Sequence, residues 1–140
     1  MYPSPMELLV NIDVPDLARA VDFYTQALGL KVTRRFGGGG AELSGLPAKI
    51  YLLEKAEGSD GAAGQPRSYA RHWTPVHLDI AVPDIEAALK RALDAGATQE
   101  TEIRRADWGS IVVLADPFGH GLCLIQFTAA GYDAVSERVG

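Results

Sequence analysis

Hydrophobic and polar positions along this chain set out one pattern twice. "LVNIDVPDLARAV", from Leu9, and "VHLDIAVPDIEAAL", from Val76, each carry an apolar run into a Val-Pro-Asp step and then into an amphipathic stretch. Placing Val14-Pro15-Asp16 on Val82-Pro83-Asp84 pairs Ile12 with Ile80, Leu17 with Ile85 and Ala20 with Ala88. The residue before a proline is pushed out of the helical region, so a strand ends at each step. Asp16 and Asp84 then cap a helix by accepting from free backbone N–H groups at the positive end of its dipole.

Leu17, Ala20, Val21, Tyr24 and Leu28 form one stripe of the first helix, and Ile85, Ala88, Leu89, Ala92 and Leu93 one stripe of the second. Gly29 and Gly96 close the helices, and Glu86 with Lys90 is a favourable i, i+4 pair. Strand-like segments follow each helix: "KVTRRF", "GGAELSG" and "AKIYLLE" in the first copy, "TQETEIRR", "SIVVLAD" and "LCLIQF" in the second. Each copy therefore reads β-α-β-β-β. The fold class is α+β, with a first module over residues 6–56 and a second over 75–128. Residues 57–74, rich in Gly, Ser, Pro and charge, form the linker, and residues 129–140 a tail of low apolar content. The glycines Gly37 to Gly40 lack the Lys-Ser/Thr of a nucleotide loop and read as a turn between strands.

Composition narrows the function. With 140 residues, 47% hydrophobic and 22% charged, the chain suits one globular domain. The net charge of −5 and scattered basic residues offer no attraction to nucleic acid, and no apolar run is long enough to span a membrane. A single cysteine, Cys123, excludes an intrachain disulfide, and "MYPSPMELL" lacks a secretory pattern, so the expected compartment is cytoplasmic.

"VPDLARAVDFYTQALGL", "HLDIAVPDIEAALKRALDAGA" and "DPFGHGLCLIQF" resemble the vicinal oxygen chelate superfamily, which includes glyoxalase I, extradiol dioxygenases and bleomycin or fosfomycin resistance proteins. The resemblance covers roughly residues 6–128 and implies two βαβββ modules curving as a mixed sheet around a cavity, a small-molecule ligand and a homodimer. It also implies a divalent metal, Ni, Zn, Mn or Fe, held by a ligand on the first strand of each module and a Glu on the last. His77 matches the first-strand position in the second module, whereas Leu9 stands there in the first. Cys123 takes the place of the Glu of a "DPxGxxxE" ending. Glu54 is the acidic residue near the end of the first module's last strand, with Tyr51 or Leu53 as the alternative inward-facing residues. The metal candidates are thus His77 and Glu54, an incomplete set, since leucine has no lone pair and three protein ligands are the usual minimum.

The residues themselves supply other candidates. Asp79 shares a strand face with His77 by the period of two, which makes the pair a candidate base with its orienting carboxylate. The same alternation places Asn11 and Asp13 with Leu9. Asn11, His77, Asp79, Trp108 and Cys123 are the candidate ligand-binding residues, with a packed hydrophobe as the plainer role for Cys123. His72 and Trp73 stand at a rim, and His120 belongs to a tight turn. Two functions follow: a glyoxalase- or dioxygenase-type enzyme with a degenerate or weak metal site, or a metal-free protein that sequesters a small molecule in an apolar cleft. A third, partner binding through an exposed apolar patch, requires no pocket.

Overall fold

The structure, a computed structural model, describes residues 6–139. Its first compact unit runs to Tyr69 and its second begins at Ala70. The first unit holds β1 (Leu9–Val14), α1 (Leu17–Leu28), β2 (Lys31–Phe36), β3 (Gly40–Ser44) and β4 (Lys49–Glu54). These strands form a sheet of order β1-β4-β3-β2, in which β1 and β4 run parallel and the other pairs antiparallel. The second unit holds β5 (Leu78–Ala81), α2 (Ile85–Ala95), β6 (Thr98–Gln99), β7 (Arg104–Ala106), β8 (Gly109–Ala115) and β9 (Gly121–Phe127). Its sheet runs β5-β9-β8-β6, with β7 also on β8. The α+β class expected from the repeat is present as two mixed sheets, each with one helix. No helix among the described residues is long and apolar enough to cross a membrane.

The same local chemistry starts both helices. Asp16 accepts from the Arg19 N–H at 3.1 Å, and Asp84 from the Glu86 and Ala87 N–H groups at 3.1 Å each. A second acceptor reaches each helix start from the last strand of its own unit. Glu54 Oε2 takes the Leu17 N–H and Gln126 Oε1 the Ile85 N–H, both at 2.9 Å. Donors otherwise orphaned at a helix N-terminus are thereby satisfied from two directions.

The helix-facing side of the first sheet carries Ile12, Val14, Ala41, Leu43, Ile50 and Leu52, all buried. Against it α1 turns Leu17, Ala20, Val21, Phe23, Tyr24 and Ala27, with the Phe23 and Tyr24 rings edge to face at 4.9 Å. The buried stripe of α2 is narrower, comprising Ile85, Ala88 and Ala92, and Leu93 is 37% exposed rather than covered. Glu86 does not pair with Lys90. It meets Arg105 at 2.7 Å, while Lys90 meets Asp94 at 2.8 Å.

Three segments differ from their sequence-based outlines. "TQETEIRR" forms two short strands, β6 and β7, and between them the Glu100 N–H donates to the Val113 carbonyl at 2.9 Å while the Thr101 hydroxyl accepts the Val113 N–H at 3.0 Å. Much of the Gly-rich segment before the second copy folds with the first unit. Arg67 closes a loop by backbone bonds with Gly58 and Ser59 and reaches the Asp13 carboxylate at 2.8 Å. The tail turns through Gly131–Ala134 and sets the Tyr132 ring 4.8 Å from that of Phe127.

Candidate functional site

Three polar side chains of the second unit converge at the start of β5. His77 precedes the strand, Asp79 lies on it, and the parallel register places Asp79 opposite Cys123 on β9. His77 Nδ1 lies 3.0 Å from Asp79 Oδ1, and the ligating atoms of His77, Asp79 and Cys123 all fall within 4.8 Å of one another. Burial pushes the Cys123 thiol up to about 11, with the nearby Asp79 charge and a hydrogen bond to Asp79 adding to it. Cys123 therefore keeps its proton at neutral pH and donates it to Asp79. Asp79 thus stands between the thiol and the imidazole. Nδ1 is the ring nitrogen beside the carboxylate, so in the neutral imidazole it is the one placed to hold the proton, which presents Nε2 as an acceptor; this tautomer is assigned from that proximity.

A short segment walls this group. The Trp73 ring lies 4.5 Å from the His77 ring at 42°, and the Arg71 guanidinium sits 5.8 Å from the Trp73 centroid, within cation–π range. Arg71 Nε and Nη2 hold the two carboxylate oxygens of Glu100 at 2.6 and 2.5 Å. This fork raises the Arg71 pKa and lowers that of Glu100, in each case chiefly through the hydrogen bond between them.

The first unit fills the equivalent positions with different chemistry. Leu9 stands at the place of His77, Asn11 at that of Asp79, and Asn11 pairs across the parallel ladder with Tyr51. Tyr51 Oη donates to Glu42 Oε2 and the Thr33 hydroxyl to Glu42 Oε1, both at 2.8 Å. Arg34 and Lys49 approach the same carboxylate at 3.5 and 4.0 Å. Glu42, only 2% exposed, is held below the usual carboxylate range, first by the Tyr51 hydrogen bond and then by that from Thr33, while the same bond raises the Tyr51 hydroxyl.

The glyoxalase-like domain family matches residues 9–125, which include both strand-and-helix repeats and the His77–Asp79–Cys123 group. The chain belongs to this family, within the vicinal oxygen chelate superfamily. An uncharacterized protein of Mycobacterium tuberculosis, Rv0887c, is 34% identical over 123 residues, covering 83% of this chain and 71% of that one. Among solved structures, a glyoxalase/bleomycin resistance protein/dioxygenase family enzyme from Burkholderia phytofirmans PsJN superposes with a TM-score of 0.68 at 18% identity, covering 86% of this chain and 97% of the other. The fosfomycin resistance protein FosX of Mesorhizobium loti gives 0.65 at 12% identity, covering 90% and 95%. At such identities the two structures speak for the fold alone.

Within a glyoxalase-like chain the residues singled out from sequence separate into distinct places. His77, Asp79 and Cys123 come together. Glu54 does not turn to the face of Asn11; alternation along β4 sets it on the helix side, where it holds the Leu17 N–H. As a metal candidate it is thus committed elsewhere, and Tyr51 is the residue that corresponds to Cys123. Trp108 packs with Phe127 and Tyr132 at 6.2 and 5.6 Å rather than with His77. Asp13 is taken by Arg67. Trp73, Arg71 and Glu100 were not combined from sequence, because their link depends on a contact between residues 29 positions apart.

The family's two-module metal site does not fit these residues. Its first-module places hold Leu9, which has no lone pair, and Tyr51, whose proton goes to Glu42. In the second module the thiol is protonated and Nδ1 lies against the Asp79 carboxylate. A metal could take Nε2 and leave Nδ1 as it is, but it would have to displace the thiol proton and would have only Asp79 besides, since no further His, Cys or carboxylate joins the group among the described residues.

Proposed function

We propose that this glyoxalase-like protein binds a small molecule at His77 without a resident metal. The observation that supports this reading best is the position of Asp79, whose carboxylate lies 3.0 Å from Nδ1 of His77 on one side and against the Cys123 thiol on the other. That arrangement orients the imidazole and leaves Nε2 to accept an O–H or N–H of the ligand. Should the ligand's proton move onto Nε2, Asp79 stabilises the resulting imidazolium, so the pair serves as a hydrogen-bonding anchor and as a base. Cys123 contributes a neutral, apolar floor with one donor, not a nucleophile.

The test is elemental analysis of tag-free protein after exposure to Ni, Mn, Fe and Zn followed by desalting, with His77→Ala alongside. No retained ion in either protein is expected. About one ion per chain in the wild type, lost in His77→Ala, refutes the metal-free reading.

A further inference from the structure

Gly121, two residues before Cys123 on β9, shares its side of the strand. A Cβ at Gly121 would lie 2.9 Å from Trp73 Cζ3, 3.0 Å from Trp73 Cε3 and 2.9 Å from Arg71 Nη2. Only a residue without a side chain lets the segment Arg71–Trp73 settle this close to β9. Three constraints therefore fix one indole: the bare backbone of Gly121, the imidazole of His77, and Arg71, itself clamped by Glu100. Trp73 nevertheless remains 44% exposed. An aromatic ring held in place by its surroundings yet open over nearly half its surface loses little freedom when a ligand covers it.

We infer that Trp73 is the specificity wall of the His77 site and selects ligands whose hydrogen-bonding hydroxyl is carried on a flat conjugated ring, the phenol and enol class. This rests on the binding function proposed for His77. The hydroxyl proton is directed to Nε2 and the plane of the ring to the indole, whose tilt of 42° from the imidazole leaves the two rings splayed. Flat rings gain offset or edge contacts with an indole that a puckered ring of the same size does not. Arg71 and Glu100 are positioning residues that hold the wall and do not touch the ligand.

Binding of 2-naphthol and decahydro-2-naphthol by titration calorimetry tests this, since the two share a skeleton and a hydroxyl but only the first is flat. Wild-type protein is expected to bind 2-naphthol about five- to tenfold tighter, inside the roughly two- to twelvefold that an aromatic pair supplies beyond its buried area. In Trp73→Leu, which keeps an apolar side chain, the preference is expected to fall within about twofold. Gly121→Ala and Glu100→Gln retain the indole but displace it, and both are expected to reduce the preference while thermal melting reports that the fold persists. Equal binding of the two probes by the wild type, a preference that survives Trp73→Leu, or no binding of 2-naphthol would each overturn the inference. His77→Ala is expected to weaken both probes alike. If it changes neither, the fault lies with the His77 site itself; if it weakens both while Trp73→Leu leaves the preference intact, only the role of Trp73 is overturned.

Discussion

Titration of Cys123 tests the chemistry of the candidate site directly. The thiol stands at about 11 against an ordinary 9.0, a difference that makes its thiolate about 100-fold scarcer at any pH below 9. Burial is the largest single cause, and Asp79 adds to it through its charge and a hydrogen bond. Thiolate absorbance near 240 nm, taken as the difference between wild type and Cys123→Ser to remove tyrosine, is expected to show a midpoint near 11. Asp79→Asn removes the charge but not the burial, so its midpoint is expected between those of the wild-type and an exposed thiol. The sign of the linked stability follows. Folding favours the neutral thiol, so its contribution is complete below the unfolded value near 9 and is lost as pH rises through about 11. The loss is at most about 3 kcal/mol, two decades of ionisation at roughly 1.4 kcal/mol each. A midpoint at or below 9 in folded protein would refute the buried, protonated thiol. An unchanged midpoint in Asp79→Asn would refute its contact with the carboxylate.

Three further outcomes follow from packing and polar contacts. Leu52→Ala empties a position that is 0% exposed between the first sheet and α1, and is expected to cost about 3 kcal/mol in urea unfolding at an unchanged m-value. Glu54→Ala uncaps Leu17 and is expected to cost about 1 kcal/mol, while Glu54→Gln retains most of the stability because an amide oxygen does the same work for Ile85 through Gln126. Glu42 has a lowered pKa, so its stabilisation is complete above the unfolded carboxylate range and is lost as pH falls toward the folded value. Melting temperatures measured from neutral pH down to about pH 3 are therefore expected to fall less steeply in Glu42→Gln than in the wild type.

The repeat, the helices and their caps were legible because they depend on neighbours in sequence. Pro15 and Pro83 end the strands, Asp16 and Asp84 accept from amides two or three residues on, and the buried stripes follow the helical period. His77 and Asp79 could be paired for the same reason, being two apart in extended chain at the start of β5. The face of β4 could not be read locally. It depends on register against β1, and a one-residue slip exchanges the two faces. With Asn11 opposite Tyr51, Glu54 falls on the helix side, as Gln126 does where Asp79 faces Cys123. Glu54 attracted attention by its charge, but its register gives it the duty of a cap.

The two copies reproduce one backbone solution and diverge where side chains leave the sheet on the side away from the helix. Both use a Pro-Asp step, an Asp cap and a second cap from the last strand. In the first copy the polar groups satisfy one another: Glu42 takes Tyr51, Thr33, Arg34 and Lys49, and Asp13 takes Arg67. In the second copy Asp79 stands against both His77 and Cys123, and the imidazole still has Nε2 to offer. A network that closes on itself rigidifies its unit, whereas one that ends on an acceptor can complete itself only with something from outside. That difference, more than the count of histidines, is why the ligand-binding role is assigned to the second copy.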